Sequence, residues 1–301
     1  MKILPILMTL LLSTGLHAKV SERVFKMNTT QECYIRTIIQ TPDDGIKTKA
    51  DMLFFIGFGD RADNHDPLFK LMNDQGIRVI SFDYPTHGES RCSHLDYENF
   101  TSLSDMAQEI ESKTREDVHR PLIVSGWSTG GLLALRMIQN NYLSERFIQS
   151  MVLITPGVAV YNFVGGDGII RERTLLQNPN PPHKGKPSPV SPFLAPIFAT
   201  TLKFNSKLAR EGHLPTYIPM LVLVAGEKLD KYVKTPVLKQ WIKKGQTNKK
   251  NLYAFQCENS MHEMDNEINP IGLTVRNLIK DFVNGPFEKL APYDTAACKS
   301  L

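Results

Sequence analysis

A serine lies at the centre of the pentapeptide GWSTG at 126–130, whose first two residues are the last two of the apolar stretch 120–127. Glycines two residues before and after it allow a sharp turn from a strand into a helix, which presents the hydroxyl clear of the backbone. The following helix, predicted over 130–142, would direct backbone N–H groups towards negative charge beside the serine. The pattern predicts that Ser128 is a nucleophile, with an ordinary tight turn as the simpler alternative.

A serine hydroxyl is a weak nucleophile at its ordinary pKa, so it needs a neighbouring base and a third group that orients the base. In a strand-turn-helix site of this type the chain order is serine, acid, histidine. Of the eight histidines, only His262 lies after residue 213, and it follows the predicted strand 251–257. We therefore expect His262 to be the base.

The orienting carboxylate should follow the preceding predicted strand, 219–226. The segment VAGEKLDKYV offers two candidates there, Glu227 and Asp230. We expect Asp230 to be the acid because it lies further out on the loop, just before a predicted helix. Glu227 remains the alternative.

Acyl transfer also requires backbone N–H donors for the negative oxygen of the tetrahedral intermediate. One donor is expected from Thr129, the residue after the nucleophile. The second is expected from the loop after the strand at 50–56, where the segment IGFGD offers flexible backbone and makes Phe58 the candidate.

Strand and helix patterns alternate along most of the chain, which is typical of a mostly parallel sheet flanked by helices. The predicted strands are 33–41, 50–59, 77–83, 120–127, 149–156, 219–226 and 251–257. The predicted helices are 65–75, 103–117, 130–142, 233–244 and 270–284.

The alternation stops between residues 157 and 217, where the chain carries eight of its nineteen prolines. Proline neither donates to a ladder nor fits inside a helix, so the segment is predicted to be an irregular insertion. It also contains many aromatic and aliphatic residues, which a solvated linker would lack. We interpret it as a lid packed over the edge of the sheet.

Charge and cysteine spacing argue against a nucleic-acid-binding protein and against a metal site. The 301 residues include 35 basic and 31 acidic side chains, and a net charge of +4 with mixed signs does not favour nucleic acid binding. Cys33, Cys92, Cys257 and Cys298 lack the spacing of metal ligands and allow three disulfide connectivities. The sequence predicts no metal or organic cofactor.

The first 18 residues, MKILPILMTLLLSTGLHA, combine a positive charge, a short apolar run and a small residue at the end. This pattern is typical of a secretory signal peptide, since the apolar run is too short to span a bilayer. We therefore expect a periplasmic or secreted protein in which disulfides are permitted.

Taken together, the motifs resemble the α/β-hydrolase fold, and within it the serine aminopeptidase-like hydrolases that include monoacylglycerol lipases and lysophospholipases. The matching stretches are the glycine loop at 57–59, FDYPTHGES at 82–90, GWSTG at 126–130, AGEKLDKYV at 225–233, and His262. The chain departs from the family at Ile56, where relatives usually carry histidine before the glycine, and Asp230 lies one residue later than the usual acid.

The resemblance implies a division into a signal peptide (1–18), a hydrolase core (19–156 and 218–301) and a cap (157–217). It also implies hydrolysis of carboxylic esters, of lipid type such as lysophospholipids or monoacylglycerols, with transient contact between the cap and a membrane surface. A peptidase acting on N-terminal residues is the alternative. Its substrate carries an ammonium group, and the cap offers it only Asp167, Glu172 and Glu211. A non-catalytic binding protein of the same fold is a further alternative.

Overall fold

The computed structural model describes residues 19–29, 32–92, 100–143, 147–162, 172–175, 195–286, 290 and 297–301. The strands are β1 (Lys19–Lys26), β2 (Cys33–Thr41), β3 (Ala50–Phe55), β4 (Ile77–Phe82), β5 (Arg91–Cys92), β6 (Leu122–Trp127), β7 (Ile148–Ile154), β8 (Met220–Val224), β9 (Leu252–Gln256) and β10 (Lys299–Ser300). The helices are α1 (Asp66–Asp74), α2 (Phe100–Thr114), α3 (Thr129–Gln139), α4 (Ala195–Glu211), α5 (Thr235–Asn248) and α6 (Ile271–Asn284). The predicted signal peptide and residues 163–171 and 176–194 of the predicted cap lie outside the described residues.

In the described part of the chain the strands form one sheet in the order β1-β2-β4-β3-β6-β7-β8-β9-β10, with β5 paired to β2. The six central strands from β4 to β9 run parallel, whereas β1, β2, β5 and β10 pair antiparallel at the two ends. This arrangement confirms the predicted fold class.

The central strands β3, β4 and β6 are buried along their whole length. Side chains of a strand alternate between the two faces of a sheet, so complete burial means that both faces are covered. Helix α6 shows how the cover forms, because its buried residues Ile271, Val275, Leu278 and Phe282 recur at intervals of three or four and share one face.

Two disulfides select one of the three connectivities that the sequence allowed. Cys33 is joined to Cys92 and thereby links β2 to β5. Cys257 is joined to Cys298, which links the end of β9 to the residues just before β10. The second bridge lies five residues before His262.

The predicted insertion is less irregular than its prolines suggested. The expectation is wrong for residues 195–211, which form helix α4. Pro196 lies in the first turn, where a missing backbone N–H costs little, and no further proline occurs before Pro215. Helix α4 packs on α3 and on the short turn Gly157–Ala159.

None of the described helices has the length and hydropathy needed to cross a membrane.

Candidate active site

Ser128 lies at the turn between β6 and α3, as its sequence context predicts. Its φ of 55° is positive, a region that residues other than glycine rarely adopt. The two flanking glycines are required by close packing: a Cβ on Gly126 would lie 2.4 Å from the carbonyl of Gly130, and a Cβ on Gly130 would lie 2.0 Å from the carbonyl oxygen of Phe55. The strained turn at Ser128 is thus possible because Gly126 and Gly130, two residues away on each side, lack a side chain.

Ser128, His262 and Asp230 form a continuous hydrogen-bonded chain. Nε2 of His262 lies 2.7 Å from Oγ of Ser128, and Nδ1 lies 3.0 Å from Oδ2 of Asp230. A carboxylate beside Nδ1 favours the tautomer protonated there, which leaves the Nε2 lone pair to accept the serine proton. The arrangement can therefore transfer a proton from Ser128 during nucleophilic attack.

Asp230 is buried and held in place by the backbone that follows it. Its Oδ1 accepts hydrogen bonds from the N–H groups of Tyr232 and Val233, at 2.8 and 2.9 Å. The Tyr232 ring stacks on the imidazole of His262 with centroids 4.7 Å apart. One short turn of chain thus fixes both the carboxylate and one face of the imidazole.

Glu227, the alternative acid, does not approach His262. Its side chain is half exposed and lies 3.9 Å from Nζ of Lys239. Of the two carboxylates that the sequence offered, the structure brings only Asp230 to the histidine.

The two candidate oxyanion donors lie at the same edge of the sheet as Ser128. Strands β3 and β6 are parallel neighbours in which Phe55 pairs with Gly126. Phe58 and Thr129 each come three residues after this pair, and Thr129 is the first residue of α3. Their role as donors to a substrate oxygen remains a prediction.

His87 supports the loop that carries Phe58, a role that the sequence did not indicate. Nε2 of His87 lies 2.8 Å from the backbone nitrogen of Gly59, so it accepts that N–H. Nδ1 lies 3.0 Å from the carbonyl oxygen of Pro85 and donates to it. Burial lowers the pKa of His87 to about 4, which keeps the imidazole neutral and able to accept.

The loop that carries His262 is hydrogen-bonded to residues next to the turn of Ser128 and at the end of β7. The indole Nε1–H of Trp127 and the hydroxyl of Thr155 both donate to the main-chain carbonyl of His262, at 2.9 and 2.8 Å. The position of the imidazole thus depends on the residue that immediately precedes Ser128.

Comparison with models of known families finds a match over part of the chain. Residues 46–177, which include the nucleophile turn, match the family model described as serine aminopeptidase, S33. Comparison with curated protein sequences finds no significant match.

Solved structures share the fold at low sequence identity. A soluble variant of monoglyceride lipase from Saccharomyces cerevisiae, in complex with a substrate analogue, superposes with a TM-score of 0.64 at 12% identity, covering 94% of this chain and 98% of that one. Monoacylglycerol lipase from Paleococcus ferrophilus superposes with a TM-score of 0.63 at 17% identity, covering 84% of this chain and 98% of that one. A carboxyl esterase from Bacillus coagulans, in complex with glycerol, superposes with a TM-score of 0.61 at 15% identity, covering 88% of this chain and 98% of that one.

The chain has the α/β-hydrolase fold. The resemblance stated from its motifs is confirmed in its fold, and residues 46–177 match a model of the family that it names.

The protein also contains a buried ionic cluster that sequence reasoning missed. It consists of Asp60, His65, Arg173, Glu263 and Asp265. The imidazole of His65 lies between two carboxylates, with Nδ1 2.6 Å from Asp265 and Nε2 3.0 Å from Asp60. The available signal was the density of charged residues in the segments DRADNHD and HEMDNE.

Among the residues that the structure describes, no three His, Cys, Asp or Glu side chains converge as metal ligands.

Proposed function

We propose that the protein is an exported serine hydrolase that cleaves carboxylic esters of lipid type, such as lysophospholipids or monoacylglycerols, through an acyl-enzyme on Ser128. One observation carries the proposal. A positive-φ serine at a strand-to-helix turn lies 2.7 Å from the Nε2 of a histidine whose Nδ1 lies 3.0 Å from the buried carboxylate of Asp230.

The reaction proceeds in two similar halves. Oγ of Ser128 attacks the ester carbonyl while Nε2 of His262 takes the hydroxyl proton, and Asp230 stabilises the resulting imidazolium. The tetrahedral intermediate then collapses, the bond to the leaving alkoxide breaks, and His262 donates the proton to it. Water, activated by the same imidazole, attacks the acyl-enzyme and releases the carboxylic acid and Ser128.

The negative oxygen of each intermediate is stabilised by the backbone N–H groups of Thr129 and Phe58. Thr129 begins helix α3, whose N-terminal end favours negative charge. His87 holds the loop of Phe58 by accepting the neighbouring Gly59 N–H. Donors fixed before the reaction require little reorganisation when the charge forms.

An ester is favoured over a peptide by the distribution of acidic side chains. An aminopeptidase must offer carboxylates to the substrate ammonium group. Within the described part of the cap, Glu172 and Glu211 are exposed. The buried acids Asp60 and Glu263 are already paired with Arg173. The similar structures named as lipases and esterases support the same choice, whereas the matched family model keeps the peptidase as the second candidate.

The cap, 157–217, is proposed to shape the acyl site. Helix α4 is held to the turn after β7 by hydrogen bonds from Ser206 to the carbonyl of Gly157 and from Arg210 to the carbonyl of Val158. Phe204 of the same helix leaves 60% of its surface exposed. Its apolar surface is available for contact with an acyl chain.

Export is supported by the cysteines. All four are joined in two disulfides, and such bonds persist in oxidising compartments. The N-terminal pattern of a signal peptide in the sequence points the same way.

The test is hydrolysis of a series of p-nitrophenyl esters from acetyl to palmitoyl by the mature protein, with Ser128→Ala as the blank and aminoacyl p-nitroanilides in parallel. We expect ester turnover that Ser128→Ala abolishes, with an optimum at the longer chains. Turnover of the anilides alone would favour the peptidase. No turnover of either class would contradict catalysis and leave a binding protein.

A further inference from the structure

Arg173 belongs to the proposed cap, yet its side chain is buried beneath the candidate active site. The guanidinium group lies over the Trp127 ring at 4.9 Å from its centroid. Its Nε lies 3.2 Å from Oε2 of Glu263, and one terminal nitrogen lies 3.7 Å from Oδ1 of Asp60. Only 8% of the residue is exposed.

The three contacts join three parts of the active site that are distant in sequence. Glu263 is the residue after His262, Trp127 is the residue before Ser128, and Asp60 follows the loop of Phe58. A single planar cation thus contacts the base, nucleophile and oxyanion segments together.

The backbone around Arg173 is attached to the same histidine loop. The N–H of Glu263 donates to the Arg173 carbonyl at 2.8 Å. The buried carboxylate of Glu267 accepts the N–H of Leu175 at 3.0 Å and that of Met261 at 2.8 Å. Residues 172–175 and 261–267 are therefore fixed to each other by main-chain as well as ionic contacts.

Charge makes these contacts selective for arginine. Glu263 and Asp60 have fully buried side chains, and each buried carboxylate would destabilise the folded protein without a cation beside it. A guanidinium group can pair with two carboxylates in its plane and stack on an indole through its face, whereas an ammonium group provides one compact charge.

We propose that Arg173 is a positioning residue that holds the loop of His262 against Trp127, so that the cap segment 172–175 sets the alignment of histidine and serine. This inference rests on the proposed function of Ser128 and His262. Arg173 acts through Glu263 and Trp127, which adjoin His262 and Ser128 in the chain.

The experiment measures the second-order rate constant for phosphonylation of Ser128 by a fluorophosphonate probe, in which the Oγ–P bond forms and fluoride leaves. This readout reports activation of the serine and does not depend on the natural substrate. Arg173→Met is expected to lower the rate constant roughly tenfold or more, because small misplacements of reacting groups have large effects. Arg173→Lys should give an intermediate value.

Arg78→Met is the matched control. Arg78 is as deeply buried and pairs with Asp51 at 2.8 Å, but both residues lie near the amino ends of their strands, at the opposite edge of the sheet. Asp51 keeps Arg120 at 3.0 Å in this variant. We expect lower stability in urea with an unchanged phosphonylation rate for the folded protein. Equal losses of rate in Arg78→Met and Arg173→Met would overturn the proposal.

A second variant separates positioning from charge balance. Arg173→Met combined with Glu263→Gln removes both members of the pair, so it should recover part of the stability lost in Arg173→Met. If Arg173 positions the loop, the double variant stays slow. Recovery of the wild-type rate in the double variant, or a wild-type rate in Arg173→Met itself, would overturn this inference and leave the proposed function standing. Failure of the probe to label the wild-type serine would overturn the proposed function and the inference with it.

Discussion

The indole Nε1 of Trp127 donates to the main-chain carbonyl of His262 at 2.9 Å, so the residue before the proposed nucleophile holds the main chain of the proposed base. Trp127→Phe keeps most of the packing and removes this donor. We expect kcat for p-nitrophenyl butyrate to fall several-fold and the free energy of unfolding to fall by about 1 kcal/mol, the usual contribution of one hydrogen bond.

Thr155→Val is the companion variant, because the Thr155 hydroxyl donates to the same carbonyl at 2.8 Å. Two donors to one acceptor should show non-additive effects when both are removed. Full kcat in both single variants would contradict a role of this carbonyl in placing His262.

The assignment of the acid can be tested with a matched pair of variants. Asp230→Asn preserves shape but removes the charge that faces Nδ1 of His262, and kcat is expected to fall roughly 10³- to 10⁴-fold. Glu227→Gln should stay within about twofold of wild type, since an exposed carboxylate 3.9 Å from Lys239 contributes little. The reverse ranking in steady-state kinetics would transfer the role to Glu227.

His87 offers a test of the oxyanion loop. His87→Phe retains a ring that can pack on Phe58 but leaves the Gly59 N–H without its present acceptor. Displacement of the neighbouring Phe58 N–H is expected to lower kcat about tenfold, with a smaller change in KM, because the donor acts on charge that develops in the transition state. The control is His119→Gln, a change at an exposed residue. A change confined to KM, with kcat unaltered in His87→Phe, would argue against this role.

The ionic cluster predicts how stability depends on pH. Burial acts to lower the pKa of His65, but the carboxylates of Asp265 and Asp60 outweigh it and raise the pKa well above 6.5. A histidine with a raised pKa in the folded protein contributes fully below its unfolded pKa, and this stability is lost as pH rises through the folded pKa. The free energy of unfolding should therefore decline above pH 6.5.

Asp265→Asn removes the carboxylate 2.6 Å from Nδ1 and should make this decline shallower. The measurement is urea unfolding between pH 5 and 9 under non-reducing conditions, so that both disulfides stay intact. An identical slope in wild type and variant would show that His65 is not the group responsible.

Much of the fold follows from local sequence pattern. The run ADMLFFIGFG is mostly apolar, and its first six residues form the buried strand β3. The spacing of apolar residues over 271–284 places one face of α6 on the sheet. These patterns are readable because the period of a strand or a helix repeats within a few neighbouring residues. Proline content was a weaker guide, since Pro196 fits the first turn of α4.

The sequence by itself determined the turn around Ser128 and the chain order of serine, acid and histidine, because both are local or sequential properties. Tertiary structure decided which carboxylate meets the histidine. The chain turns back after Gly226, where the Asp230 N–H bonds to the Gly226 carbonyl at 2.9 Å, and Asp230 faces His262 while Glu227 faces Lys239.

Only the fold could reveal the cysteine pairing and the pair of His65 with Asp265, 200 residues apart in sequence. A charged residue in a loop segment carries no local sign of burial. Its burial is stable only when a partner from a distant segment arrives to balance its charge, and that partner is chosen by the topology of the sheet.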